Sequence, residues 1–269
     1  MYISPALGGK TNDTASDDFM ELVTSRQNNT IRHLKKLSGE RRYRRACGEF
    51  LCEGPKMLAE AERWGFVPRT IAATDEALLH QWEGRAQRCL LVEPQLLAYA
   101  ADTETPQGVV FSCEIPEPAD ALPGGRLLVL DGVQDPGNVG TILRTADAFG
   151  ADGLVLLPGS ADPWAPKTVR STMGACFRLP VLCCTLEELT RRLEQEGIPL
   201  YATALREDTM DVRDADLSRC AVVIGSEGRG VSREVLDACA QTLKIPMRDR
   251  CESLNAAMAA SVVLWEAWR

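Results

Sequence analysis

Three short segments concentrate residue types able to do chemistry, and each sits where an apolar run gives way to a helical pattern. The first, Asp131-Gly132-Val133-Gln134-Asp135-Pro136-Gly137-Asn138-Val139-Gly140, follows Leu127-Leu128-Val129-Leu130 and leads into a helix whose Val139, Ile142, Leu143, Ala146 and Phe149 share one face. Arg144 stands five residues beyond Val139, about 140° round at 3.6 residues per turn, so it leaves that face. A surface arginine is its ordinary fate, but the turn after a strand's carboxyl end is also where open α/β sheets take ligands. The second segment, Gly225-Ser226-Glu227-Gly228-Arg229-Gly230, again follows an apolar run and precedes a helix that Ser232 can cap. Its glycines permit close backbone approach, and Glu227 brings a carboxylate to the turn. The spacing is neither Gly-x-Gly-x-x-Gly nor Gly-Lys-Ser/Thr, which argues against dinucleotide and nucleoside-triphosphate binding. The third, Glu252-Ser253-Leu254-Asn255, opens a terminal helix with Ala257, Ala260, Val263, Leu264 and Trp268 on its apolar side; Ser253 or Asn255 can serve simply as its cap.

The elements that must position these turns alternate between strand and helix. Residues 127–130, 154–157, 181–182, 200–202, 221–224 and 243–245 are short, continuously apolar runs, as expected of strands buried on both faces of a largely parallel sheet. Leu186 to Glu196 reads as a helix bounded by Thr185, with Glu188 three residues later, and by Gly197. Upstream, Phe50-Leu51-Cys52, Thr70-Ile71-Ala72, Cys89-Leu90-Leu91-Val92 and Val109-Val110-Phe111 interleave with a helix opened by Pro55, giving a smaller α/β unit. Proline- and glycine-rich punctuation at 116–118 and 123–125 marks the boundary near residue 120. The predicted organisation is a flexible lead over 1–24, a unit over 25–114, a linker over 115–125 and a second domain over 126–269.

Composition narrows the chemistry. With 45% hydrophobic and 25% charged residues among 269, the chain can bury a core without staples. Its ten cysteines contain no Cys-x-x-Cys pair, and only His33 and His80 could supply imidazole, so zinc and Ser-His or Cys-His chemistry are disfavoured and no metal is expected. Gly9-Lys10-Thr11 is no phosphate loop, since Ser4 stands where the pattern needs glycine. The absence of a signal-like or membrane-length apolar run predicts a cytoplasmic protein. The formal charge of −8 discourages loose attraction to nucleic acid, yet Arg26, Arg32, Lys35, Lys36, Arg41, Arg42, Arg44 and Arg45 oppose only Glu40, a local +7 that leaves −15 on the rest. Ile31, Leu34 and Leu37 give this stretch an apolar stripe with which to dock, so its cations are candidates for phosphate contacts.

The three turns in this order, with Ile245-Pro246-Met247 and Arg170-Ser171-Thr172-Met173-Gly174-Ala175, resemble the SpoU (TrmH-type) RNA ribose 2′-O-methyltransferases of the SPOUT superfamily. The likeness is strong over 126–269; Ser25 to Cys113, with Phe50-Leu51-Cys52-Glu53-Gly54, more loosely resembles the family's RNA-binding domain. It implies a trefoil-knotted, mostly parallel C-terminal α/β domain, a smaller N-terminal ribosomal-protein-L30e-like α/β domain, and a homodimer formed through the C-terminal domain. It further implies S-adenosylmethionine held by Thr203, Ala204, Gly225, Gly230, Ile245, Met247 and Leu254, and a reaction centre of Arg144, Asn138, Glu227, Ser253 and Asn255. The likeness favours ribosomal RNA as the substrate. Transfer RNA, or a non-catalytic RNA-binding protein keeping the fold, are the alternatives.

Overall fold

The computed structural model describes residues 19–117, 121–206, 208–248 and 253–268. The first part of the chain runs β1 (Met20–Val23), α1 (Asn29–Gly39), α2 (Arg41–Cys47), β2 (Glu49–Glu53), α3 (Pro55–Arg63), β3 (Thr70–Ala73), α4 (Glu76–His80), β4 (Arg88–Val92), α5 (Pro94–Ala101) and β5 (Val109–Glu114). These strands form one sheet in the order β1-β4-β3-β5-β2, with β5 antiparallel to both of its neighbours. The expected lead ends earlier than residue 24, because Met20–Val23 pairs in parallel with Cys89–Val92. Val23 is buried beside Leu90 and Leu97, so pairing and burial together repay the ordering of this edge strand. Residues 1–18 of that lead lie outside the described residues. Ile31, Leu34 and Leu37 are fully buried, and Asn28 caps α1 by accepting from the Thr30 and Ile31 N–H groups.

The second part continues β6 (Arg126–Asp131), α6 (Pro136–Ala148), β7 (Gly153–Leu156), α7 (Pro166–Thr172), β8 (Val181–Cys183), α8 (Leu186–Glu196), β9 (Leu200–Thr203), β10 (Met210–Asp211), β11 (Cys220–Gly225), α9 (Arg233–Ala238), β12 (Gln241–Lys244) and α10 (Ala256–Trp268). Its seven strands, ordered β10-β12-β9-β11-β6-β7-β8, are parallel throughout. Alternate side chains serve opposite faces. Leu128, Leu130, Val222 and Ile224 pack with Ile142 and Leu143 of α6 and with Ala260 and Val263 of α10, while Leu127, Val129, Ala221 and Val223 pack with Leu189 and Leu193 of α8 and Val235 of α9. That two-sided cover is why the strands read as continuous apolar runs. The predicted capping box of α8 is present, with Thr185 and Glu188 bonding reciprocally.

The two sheets' units share packing. Phe50 and Phe111 of the first lie in one cluster with Trp164, Val169 and Phe177 of the second, and the Phe50 and Trp164 ring centroids are 4.7 Å apart. Arg44, expected beside its neighbours as an RNA contact, is instead 4% exposed. Its Nη2 and Nε donate to Asp162 Oδ2 at 2.6 and 3.0 Å, and its Nη1 donates to the Leu37 carbonyl at 2.7 Å. The short helix α2 places Arg41, Arg42 and Arg45 outward and this one arginine against the second unit.

Candidate active site

All three chemical turns lie at the carboxyl edge of the parallel sheet. Asp135 caps α6, accepting from the Asn138 N–H at 3.0 Å, and Pro136 occupies the first helical turn, where its missing donor costs nothing. That N–H, with Lys167 Nζ at 3.3 Å, holds the Asp135 carboxyl below its ordinary value. The Gly225–Gly230 turn closes on itself through reciprocal Ser226 and Gly230 backbone bonds. Gly225 has no room for a side chain, since an added Cβ would collide with the Gly230 carbonyl carbon and the Val231 nitrogen. Ser232 occupies the N-cap of α9 without a side-chain bond; its N–H instead donates to Asp131 Oδ2 at 2.6 Å, tying the second turn to the first.

Side chains complete the link. Asn138 Nδ2 donates to Glu227 Oε1 at 2.6 Å, and Asn255 Nδ2 donates to Asn138 Oδ1 at 3.2 Å. Asn255 Oδ1 in turn accepts from the Ala257 and Met258 N–H groups and so caps α10. The direction of this chain is determined from both ends: an ionised carboxylate only accepts and a backbone N–H only donates, so each amide must turn its NH2 toward Glu227. Residues 89 and 117 positions apart thereby hold three loops in one arrangement.

Beside this cluster opens a cavity of about 400 Å³ lined by Thr203, Ala204, Gly225, Gly230, Ile245, Met247, Ser253 and Leu254, all singled out from the sequence, and also by Leu205, Ile224, Glu227 and Leu243. Thr203 is oriented by donating its hydroxyl to the Val223 carbonyl. The walls combine apolar side chains with Thr203, Ser226, Ser253 and the oppositely charged Glu227 and Lys244, which suits a ligand carrying both an apolar ring and polar groups. Glu252 lies outside the described residues. Arg144 does not line the cavity: it is exposed on α6 and makes no hydrogen bond or ion pair among the described residues. Six residues beyond Asn138 it sits about 9 Å along the helix and about 120° away, so one chain does not bring it to the cluster.

Of the basic stretch, Arg26, Arg32, Lys36, Arg41, Arg42 and Arg45 are exposed, and Lys35 is half-buried and paired with Asp102. Arg41, Arg42 and Arg45 line a groove with Leu156–Ser160 and Cys183–Thr185, at the carboxyl ends of β7 and β8 and hence on the same sheet edge as the cavity. Sequence reasoning missed Asp131, Asp135 and Ser160 as positioning groups; the Asp135-Pro136 pair is a legible capping signal, whereas Ser160, which bridges the Gly132 N–H and the Leu130 carbonyl, is not. Among the described residues no helix is long and apolar enough to cross a membrane, and no group of three or more His, Cys, Asp or Glu could hold a metal.

Comparison with known proteins agrees with this geometry. The SpoU rRNA methylase family model matches residues 125–265, and an MRM3-like substrate binding domain matches residues 28–110. The chain is 32% identical over 246 residues to RlmP of Bacillus subtilis, a 23S rRNA (guanosine(2553)-2′-O)-methyltransferase, covering 91% of this chain and 98% of that one. It superposes on the AdoMet-bound rRNA methyltransferase of Sinorhizobium meliloti with a TM-score of 0.83 at 30% identity, over 92% of this chain and 97% of that one. The SpoU methyltransferase AviRb of Streptomyces viridochromogenes, in complex with AdoMet, matches with a TM-score of 0.82 at 32% identity, over 90% and 97% of the two chains. With its three turns joined at one sheet edge and its length matched by such relatives, this chain belongs to the SpoU rRNA methylase family.

Proposed function

We propose that the chain methylates a ribose 2′-hydroxyl of ribosomal RNA with S-adenosylmethionine as methyl donor. The observation that carries this reading is the Asn138–Glu227–Asn255 chain beside the cavity at the carboxyl edge of the sheet. The residues present fit the donor: Ile224, Leu243, Ile245 and Leu254 would offer apolar walls to its adenine, Gly228 and Gly230 border open space, and Glu227 and Lys244 are available to its charged groups. Thr203, Ala204, Gly225, Gly230, Ile245, Met247 and Leu254 would hold it. The donor supplies an already activated methyl group.

What the protein must add is position and relief of charge as the ribose oxygen loses its proton. Asn138, locked between a carboxylate and a second amide, presents a fixed edge to the substrate, and Ser253 at the cavity mouth offers a hydroxyl. A guanidinium is a permanent cation and a poor base, so Arg144 stabilises the developing alkoxide and contacts a phosphate, the proton passing to phosphate or water.

Arg144 reaches that centre from a second copy of the chain. Leu254, just before α10, and Met258, Val262 and Trp265 on α10 are exposed apolar residues, Met258 and Trp265 being 53% and 58% exposed, and α10 packs along α6. Such a group marks an interface, and a two-fold dimer through α6 and α10 would cover it and carry each Arg144 toward the partner's cavity. Residues 25–114 serve as the RNA-binding domain, with Arg26, Arg32, Lys35, Lys36, Arg41, Arg42 and Arg45 on phosphates, and residues 126–269 as the catalytic domain. Kinship also implies a trefoil knot in the latter, and a cytoplasmic enzyme.

Labelled methyl transfer to total RNA, followed by mapping of 2′-O-methyl groups, tests the reading. Transfer to a ribose of ribosomal RNA that is lost in Arg144→Ala, with S-adenosylhomocysteine affinity retained, supports it; transfer to a base, to transfer RNA alone, or to no RNA refutes it.

A further inference from the structure

A second groove lies away from the donor cavity, at the junction of the two units. About 900 Å³ in volume, it is walled by Lys56, Arg63 and Trp64 from α3 and its end, and by Arg170, Met173 and Arg178 from α7 and beyond. Trp64 is 48% exposed. Its indole is backed by the Arg178 guanidinium, 5.8 Å from the ring centroid, which is itself pinned by Glu60 and by Asp147 at 2.8 Å. A tryptophan so held is a rigid platform with an uncovered surface.

Met173 adds a second oddity. It is 54% exposed and sits at φ 50°, ψ 39°, one of two non-glycine residues of positive φ among those described. An L-residue there costs about 1–2 kcal/mol. Burial does not offset that cost, because the thioether side chain is in solvent, and the following Gly174 shows that glycine is available to this turn. Met173 ends α7 in this left-handed conformation, its N–H donating to the Arg170 carbonyl, at a place glycine usually takes, and its exposed side chain is available to a contact from outside the chain.

The groove's charge selects the occupant. Arg178 is committed to Glu60 and Asp147 and Arg170 lies 3.4 Å from Glu53, which leaves Lys56 and the 72% exposed Arg63, 3.9 Å from Glu60, to face solvent as cations in a chain of net charge −8. An aromatic face and a polarisable thioether among cations match a nucleobase carried on phosphates. The placement also fits: α7 presses on α6 so closely that a Cβ at Gly140 would collide with the Thr168 carbonyl and the Ser171 side chain, and α6 carries Asn138 and Arg144. Groove and reaction centre thus border the two members of one closely packed helix pair.

We infer that this junction groove seats an unpaired base of the substrate RNA, stacked on Trp64 and clasped by Met173, with phosphates on Lys56 and Arg63. The inference rests on the RNA reading given above and assigns to the domain junction a role in choosing single-stranded over paired substrate.

Fluorescence anisotropy with the full chain tests it, using as probes a labelled oligouridylate of roughly 12 nucleotides and an abasic strand of equal length. Trp64→Ala should weaken oligouridylate binding about tenfold or more while abasic binding stays unchanged, and Trp64→Phe should recover most of the loss. Met173→Gly should also weaken oligouridylate binding while its melting temperature holds or rises, because glycine accepts the left-handed backbone; a merely structural methionine would lower both. Unchanged oligouridylate affinity in both variants, equal losses on the two probes, or a fall in melting temperature with Met173→Gly overturns the inference. Methyl transfer by the unaltered chain separates the two levels. Transfer with no effect of Trp64→Ala on RNA affinity rejects the groove alone, whereas no transfer to RNA rejects the reading beneath it.

Discussion

Replacing Arg44 by alanine should unfold the chain more readily without touching its grip on RNA. The arginine is 4% exposed and its partner Asp162 8% exposed, and three guanidinium nitrogens are engaged: two on Asp162 Oδ2 at 2.6 and 3.0 Å and one on the Leu37 carbonyl at 2.7 Å. Among the described residues, truncation leaves a buried carboxylate with the Trp164 N–H as its remaining hydrogen-bond donor. Removing one member of a buried pair costs about 3–5 kcal/mol, chiefly because the other charge stays buried and uncompensated. For a chain of this size that corresponds to a melting temperature lower by roughly 6–20 °C. Arg44→Met with Asp162→Asn should regain most of the loss, because no charge is stranded and the asparagine still accepts from Trp164. Urea unfolding with RNA titration at several salt concentrations is the assay. Arg44→Ala should keep the salt slope of the unaltered chain, whereas replacing Arg41, Arg42 and Arg45 together should flatten it by about two to three counterions. Stability within about 1 kcal/mol of the unaltered chain, combined with a flattened slope in Arg44→Ala, would refute the assignment of this arginine to the domain junction.

Other outcomes follow from the same geometry. Gly225→Ala should abolish S-adenosylhomocysteine binding, measured by calorimetry, because the added methyl meets the Gly230–Val231 peptide across the turn; retained affinity would show that the turn can open. Trp265→Glu should convert a dimer to monomers in sedimentation and suppress methyl transfer, and an unaltered sedimentation coefficient would remove α10 from the interface. Burial pushes the Cys89 and Cys176 thiols from the ordinary 9.0 up to about 11 and that of Cys220 up to about 12. These groups are neutral in both states below pH about 9; above it the unfolded thiols ionise first, so stability should fall as pH rises from about 9 through about 11. A flat urea midpoint across that range would contradict this.

How much of this was legible depended on the distance over which each feature is decided. The parallel sheet could be read because two-sided burial writes itself as consecutive apolar residues, as in Leu127–Leu130 and Ala221–Ile224, and α8 because its caps Thr185 and Gly197 are local. Met20–Val23 was hidden: four residues after a polar run become a strand only by pairing with residues 89–92. A charge run treats its cations alike, so nothing within 26–45 distinguishes Arg44, whose carboxylate partner lies 118 residues later. The cavity residues and the Asn138–Glu227–Asn255 set were named through family likeness, since no periodicity joins positions 89 and 117 apart. Met173 gave no signal, because a left-handed backbone at a non-glycine residue is imposed by its surroundings rather than by its type. Arg144 was assigned to the reaction centre, and the single chain leaves it outside.

That displacement makes one measurement the most direct. Arg144→Ala and Asn138→Ala, each inactive alone, are mixed, unfolded and refolded together, and methyl transfer to ribosomal RNA is recorded. If each cavity is completed by the partner's arginine, mixed dimers hold one intact composite centre, and the mixture should recover about a quarter of the unaltered activity. If both groups act within one chain, every mixed dimer has two broken centres and no activity returns, which would contradict the composite site on which the account stands.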